Sequence, residues 1–275
     1  MSSDQLADLI GLCAGDGRRI DLLEAALTMS VLQRGEPIDL VPLRQHVASM
    51  AADLADLVHR RGAAAERLAE VIARSYAFRG DSETYDDLQN ADLARVIERR
   101  KGLPVALSIL YLHVARAQGW DAEGLAFPGH FLIRVAIDGA RHVVDPFHDG
   151  MVRDAAQLRE LVRRVLGADA ELQPGHFDAV LDRDVLLRLE NNVRLRLAKA
   201  EDWPGAARSL DRMLAIAPDR PELLFESGQI NARLDKRRAA IVAFERFLAI
   251  DAGRGDTALR RQASTLLQEL RRGLN

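Results

Sequence analysis

The stretch from Leu103 to Ala117, LPVALSILYLHVARA, constrains the fold of this chain more than any other. Its only side chains with polar atoms are Ser108, Tyr111, His113 and Arg116, so it is apolar on nearly every side rather than striped. A helix of that kind belongs in the middle of a domain, where all its faces meet other elements. Gly102 and Pro104 mark its start, since proline is favoured in a first helical turn, where its missing amide hydrogen would go unpaired anyway. Gly119 marks its end.

Three short strands are expected next: Asp121 to Phe127, His130 to Ile137 with its Val, Ile and Phe, and Arg141 to Val144. Pro128-Gly129 and Asp138-Gly139 separate them, and Asp-Gly between two such runs is the strongest short hairpin signal. The order of these pieces resembles the transglutaminase-like core of the papain-type thiol enzymes: a helix beginning after Gly, a strand, Gly-His-Phe opening the next strand, and Val-Asp-Pro closing the third. In that family a Cys at the N-terminus of the central helix is the nucleophile, activated by unpaired amides and the helix dipole. A His takes its proton and an Asp orients the imidazole. The resemblance implies that His130 and Asp145 are the His and the Asp, and that the Cys position falls on Pro104. Proline has no thiol, hydroxyl or titratable group, so the nucleophile is absent. Burying an imidazole and a carboxylate is costly unless each satisfies the other, so the His130 ring is expected to face Asp145 within hydrogen-bond reach. Both a structural polar pair and a residual acid–base pair fit that geometry.

A narrower resemblance follows from Asn90, the Arg99-Arg100-Lys101-Gly102-Leu103-Pro104 run, Leu107-Ser108, Pro128-Gly129-His130-Phe131 and Asp145-Pro146-Phe147. Together they resemble the bacterial family described as regulators of sirC expression, with a transglutaminase-like domain and tetratricopeptide repeats (SirB-type). That family commonly shows Gly-small-Pro where thiol enzymes show Gly-X-Cys. Where it would show Ser two residues after the proline, this chain has Ala106. The resemblance implies a binding pocket at the helix N-terminus from Asn90, Pro104 and Ser108, and a regulatory role.

Other polar residues carry weaker signals. Ser108 lies one turn beyond Pro104, where a hydroxyl more often bonds a backbone carbonyl than attacks a substrate. Cys13, the only cysteine, is at helical spacing with Leu6, Leu9 and Ile10 and reads as a buried thiol. His130, His142, Asp145 and His148 match no standard ligand set; His142 and Asp145 point to opposite faces of a strand, and His148 follows Pro146 in a turn. No metal and no cofactor are therefore expected.

The first eighty residues show helical stripes over Asp21 to Gln33, Leu40 to Arg60 and Ala63 to Phe78. A further helix is expected from Ala91 to about Arg100, capped by Asn90, and another over Asp154 to Leu166, ended by Gly167. Beyond Leu187 the chain repeats itself. Ala206 aligns with Ala240, Leu210 with Phe244, Leu214 with Leu248 and Ile216 with Ile250, an offset of 34 residues that is the mark of tetratricopeptide helix pairs. Gly228 occupies the small position of a first helix, whereas Arg194 stands at the equivalent place one repeat earlier. Thr257 to Arg272 is expected as a closing helix with Leu259, Leu266, Leu267 and Leu270 inward.

The expected fold is α+β. A helix-rich papain-like core with a small antiparallel sheet occupies residues 1–174, and an all-α repeat region occupies 175–275. A net charge of −3 and a pI near 6.2 provide no global basic field for nucleic acid or anionic lipid. No stretch reaches the length of a membrane span and the start lacks a positive n-region, so a cytoplasmic protein is expected. The expected function is non-catalytic: binding of a protein or peptide, through the repeats, in a regulatory role. The alternative is a hydrolase or amide-processing enzyme that uses His130 and Asp145 without a thiol. Partner identity and oligomeric state are not set by these features.

Overall fold

A computed structural model describes residues 3–17, 19–250 and 258–272. It forms two compact units, Met1–Leu189 and Glu190–Asn275, and the fold is α+β.

In the first unit α1 (Ser3–Leu12), α2 (Leu22–Arg34) and α3 (Val41–Arg61) come first. Asp21 caps α2 by accepting the Glu24 amide, and Gly35 ends it in the left-handed conformation. The expected helix over Ala63 to Phe78 takes a different form. A single turn, α4 (Glu66–Leu68), runs into a π-helix over Ala69–Ser75, whose wider winding brings the Tyr76 amide to the Val71 carbonyl (3.0 Å). The Ser75 hydroxyl donates to the Glu70 carbonyl (3.1 Å), five residues back within the same wide winding.

Strand β1 (Arg79–Gly80) pairs in parallel with β2 (Lys101–Gly102). A Cβ on Gly80 would lie 2.5 Å from the Phe147 carbonyl oxygen, so only glycine allows this approach. Between the two strands, α5 (Leu93–Arg99) starts later than expected. Its cap is Asp92, which accepts the Ala94 and Arg95 amides, while Asn90 belongs to a 3-10 turn over Leu88–Ala91. α6 (Pro104–Ala117) is the central helix, buried along its length except near His113 and Arg116 and at its last residue, and it packs against α2, α3 and α5.

The sheet has five antiparallel strands in the order β6-β5-β4-β3-β7: β3 (Asp121–Leu125), β4 (Ile133–Ile137), β5 (Ala140–Asp145), β6 (Met151–Arg153) and β7 (Ala179–Val180). β4 and β5 form the hairpin expected from Asp138-Gly139; Ile137 faces Ala140, and both turn residues have positive φ (49° and 82°). His130 to Leu132, expected as strand, precede β4, although the Leu132 carbonyl still accepts the Leu125 amide (2.9 Å). α7 (Ala155–Leu166) opens with an Asp154–Gln157 capping box and buries Leu158, Leu161 and Val162 against Leu125, Phe127 and Leu132.

α8 (Asp182–Lys199) begins in the first unit. Buried Asp182 accepts the Ile20 amide (2.9 Å) and two guanidinium bonds from Arg116 (2.8 and 2.7 Å), tying α6 to the start of α8.

The second unit continues with α9 (Trp203–Ile216), α10 (Pro221–Arg233), α11 (Arg237–Ile250) and α12 (Ala258–Arg272). A Cβ on Gly228 would lie 2.6 Å from the Phe244 ring, and Ala206 and Ala240 are fully buried, so the small positions are where helices approach most closely. Arg194, at the repeat's glycine position, turns its guanidinium to Asn191 (2.7 Å) and Glu226. Glu190 and Arg212 form a buried ion pair (2.7 Å) that Ser209 joins (2.6 Å). On α12, Leu267 is buried and Leu266 and Leu270 pack against the core, whereas Leu259, expected inward, faces solvent; Thr257 lies outside the described residues. Among the described residues no helix is long and apolar enough to cross a membrane.

Candidate functional site

Asp145 ends β5 and is completely buried. Its Oδ1 accepts from His130 Nε2 (2.8 Å) and from the His148 amide (3.3 Å). Its Oδ2 accepts from His148 Nδ1 (2.8 Å) and from Arg153 Nε and Nη2 (3.1 and 2.7 Å). Burial by itself pushes this carboxyl up; hydrogen bonds from His130, His148 and Arg153 more than reverse that and hold it well below the usual carboxylate range. An ionised carboxylate can only accept, so the geometry assigns a proton to His130 Nε2 and to His148 Nδ1. The other ring nitrogens, His130 Nδ1 and His148 Nε2, are then the ones left for chemistry.

The His130–Asp145 contact read from the hairpin is present, but it is one of several. His148 joins because a 3-10 turn over Pro146–His148 carries its ring back over Asp145. Arg153 joins because β6 pairs with β5, setting Met151 opposite Asp145. No local signal marks either residue. His142, paired with Val135, stays outside the cluster. The ligand atoms of His130, Asp145 and His148 lie within 4.8 Å of one another, the residue types of a metal site. The Asp145 oxygens, however, already accept five N–H groups, and the fixed charge of Arg153 sits on Oδ2, so the donor set forms a saturated hydrogen-bond network.

Pro104 is the first residue of α6 and is buried. Ser108 is fully buried and its hydroxyl donates to the Pro104 carbonyl (2.8 Å). Asn90, also fully buried, donates to the Thr84 carbonyl (2.6 Å), accepts from Arg99 (3.0 Å), and its own carbonyl accepts the Leu103 amide (3.0 Å). Arg99 also reaches Asp81 (3.1 Å), whose carboxyl burial would raise but which Thr84's hydrogen bonds and the charges of Lys101 and Arg99 hold at about 2. Asn90, Arg99 and Asp81 therefore brace the chain where it enters α6. Cys13 is buried at the end of α1, and burial pushes its thiol up to about 11, Arg183 offsetting part of the effect.

An open cleft of about 980 Å³ borders the cluster. Ala69, Ala73 and Arg74 of the π-helix line it, as do His148 and Met151. The Phe147 ring stands between Tyr85 and the two imidazoles, with centroids 5.9 Å from Tyr85, 6.2 Å from His130 and 5.4 Å from His148.

A buried central helix, an antiparallel sheet against it and a His–Asp contact at the hairpin define a transglutaminase-like core followed by helical repeats. The transglutaminase-like superfamily profile matches residues 42–191, more than half of the chain, and a tetratricopeptide-repeat profile matches 193–268. The chain belongs to the transglutaminase-like superfamily. It is 35% identical over 182 residues to a UPF0162 protein of Xylella fastidiosa (strain Temecula1), covering 65% of this chain and 65% of the relative, and so spans just under two thirds of that relative's length. A UPF0162 protein of Vibrio cholerae is 29% identical over 249 residues, covering 87% of this chain and 90% of the relative. Mouse F-box only protein 21 is 30% identical over 172 residues, covering 58% of this chain and 26% of the relative.

Proposed function

We propose that this chain is a transglutaminase-like protein without thiol chemistry, which binds a protein or peptide through its repeat unit in a regulatory, cytoplasmic role of the kind the SirB-type resemblance implies. The observation that carries this reading is Pro104 at the first position of α6. The place where a helix terminus would activate a nucleophile holds a side chain with none. The neighbouring hydroxyl of Ser108 is committed to a backbone carbonyl, and Cys13 is protonated and buried. Tetratricopeptide helix pairs commonly present binding surfaces, and the repeat unit exposes apolar side chains, among them Leu195 and Val242.

A second reading rests on the 2.8 Å contact between His130 and Asp145. It leaves His130 Nδ1 able to take a proton from water, as a hydrolase without a thiol would require.

Affinity capture from cell lysate separates the two, using the intact protein, His130→Ala, and the double variant Leu195→Glu/Val242→Glu. A partner kept by His130→Ala and lost by the double variant supports the binding reading. A partner or modified peptide that depends on His130 supports the hydrolase.

A further inference from the structure

The cleft beside His148 has two unlike walls. One is the helical segment from Glu66 through the π-helix to Ala77, which presents the small side chains of Ala69 and Ala73. The other includes Met151 and Val152 of β6. β6 is the edge of the sheet: among the described residues it pairs with β5 and with no other strand. An edge strand offers a row of backbone donors and acceptors to an incoming extended chain.

Charge is polarised along the helical wall. Glu66 stands at its start and Arg74 eight residues on, no more than about 12 Å at 1.5 Å per residue. Arg79 lines the cleft just beyond Arg74. Both arginines are exposed, and among the described residues neither side chain has a carboxylate partner, whereas Arg61, Arg67, Arg99 and Arg153 of the same unit are all paired. Asp149 also lines the cleft, in the turn after His148. A span of about 12 Å takes three to four residues of extended chain at about 3.3 Å each.

We propose that this cleft binds an extended peptide segment that adds to the β6 edge and places an acidic side chain between Arg74 and Arg79. His148, with Nδ1 held by Asp145, presents its ring to the bound backbone. The small residues of the π-helix leave room for the segment's outward side chains. The site lies wholly within the first unit and does not depend on the repeat-binding reading.

The test is fluorescence anisotropy with the full-length protein and two labelled, acetylated hexapeptides, one alternating glutamate with valine and the other lysine with valine. Hydrogen exchange across residues 150–153 is followed in parallel. The glutamate peptide should bind saturably, lose affinity as salt rises, and slow exchange at 150–153. Arg74→Glu/Arg79→Glu, which alters two exposed side chains and should leave the melting temperature unchanged, should weaken it by more than tenfold. Equal binding of the lysine peptide, unchanged affinity in the double variant, or no protection at 150–153 would overturn the proposal. So would the absence of saturable binding.

Discussion

The His148 imidazole returns to the carboxylate three residues before it, with Nδ1 2.8 Å from Asp145 Oδ2, so that one buried Asp145 serves two histidines. The side chain of His130 is largely covered and that of His148 is 45% exposed, so the two rings share an anchor but not an environment. Whatever chemistry or binding this hairpin supports, Asp145 holds both rings in place.

Asp145→Asn removes the charge that Arg153 and both histidines are bonded to. Leaving the largely covered Arg153 without its counter-charge should cost about 3 kcal/mol, read as a lower urea midpoint at pH 7. The folded carboxyl titrates below its unfolded value, which lies near 4. Its contribution is therefore complete above about pH 5 and is lost as pH falls through 4 and below. Urea titrations from pH 6 to pH 3 should show the parent protein losing more stability than Asp145→Asn over that interval.

Cys13 should behave as an inert core thiol. With its thiol pushed up to about 11, almost none is ionised at pH 8. A disulfide reagent at pH 8 should modify the native protein slowly and the urea-unfolded protein at least tenfold faster. Rapid labelling of the native protein would show that α1 opens readily around it.

Gly228→Ala tests the repeat packing. The added methyl would meet the Phe244 ring at 2.6 Å in a core that also holds Phe225 and Phe247. Overpacking of this kind costs about 1–3 kcal/mol, offset only in part by alanine's better helix propensity. A lower melting temperature is expected; an unchanged or higher one would mean that α10 and α11 sit farther apart in solution.

The buried pair of Glu190 and Arg212 should show strong non-additivity. Arg212→Leu strands a buried carboxylate and should destabilise by about 3–5 kcal/mol, whereas Glu190→Leu/Arg212→Leu should recover most of that loss. A double-mutant cycle in urea measures the coupling.

Much of this architecture is legible in the sequence because it rests on local chemistry. An unstriped apolar run makes α6 central, Asp138-Gly139 sets the hairpin between β4 and β5, and a 34-residue offset reveals the repeats. Residue type alone also shows that Pro104 carries no nucleophile. Other features depended on partners distant in the chain. β6 and β7 are three and two residues long, too short to carry a strand pattern, and exist because β5 and β3 have edges to offer. Asp92 rather than Asn90 caps α5 because Asn90 is claimed by Thr84 and Arg99. Arg116 and Asp182 meet across 66 positions. The π-helix, which lines the cleft, and the turn before it bury Leu68, Val71 and Ile72, the same residues that an α-helical stripe would turn inward, so the pattern does not reveal the wider winding. Hydrophobic pattern and turn chemistry therefore decided the main helices, the β4–β5 hairpin and their order, since both act within a few residues. Which donors gathered on Asp145 was decided by tertiary structure, because a buried carboxylate takes whatever N–H groups the packed chain brings within reach.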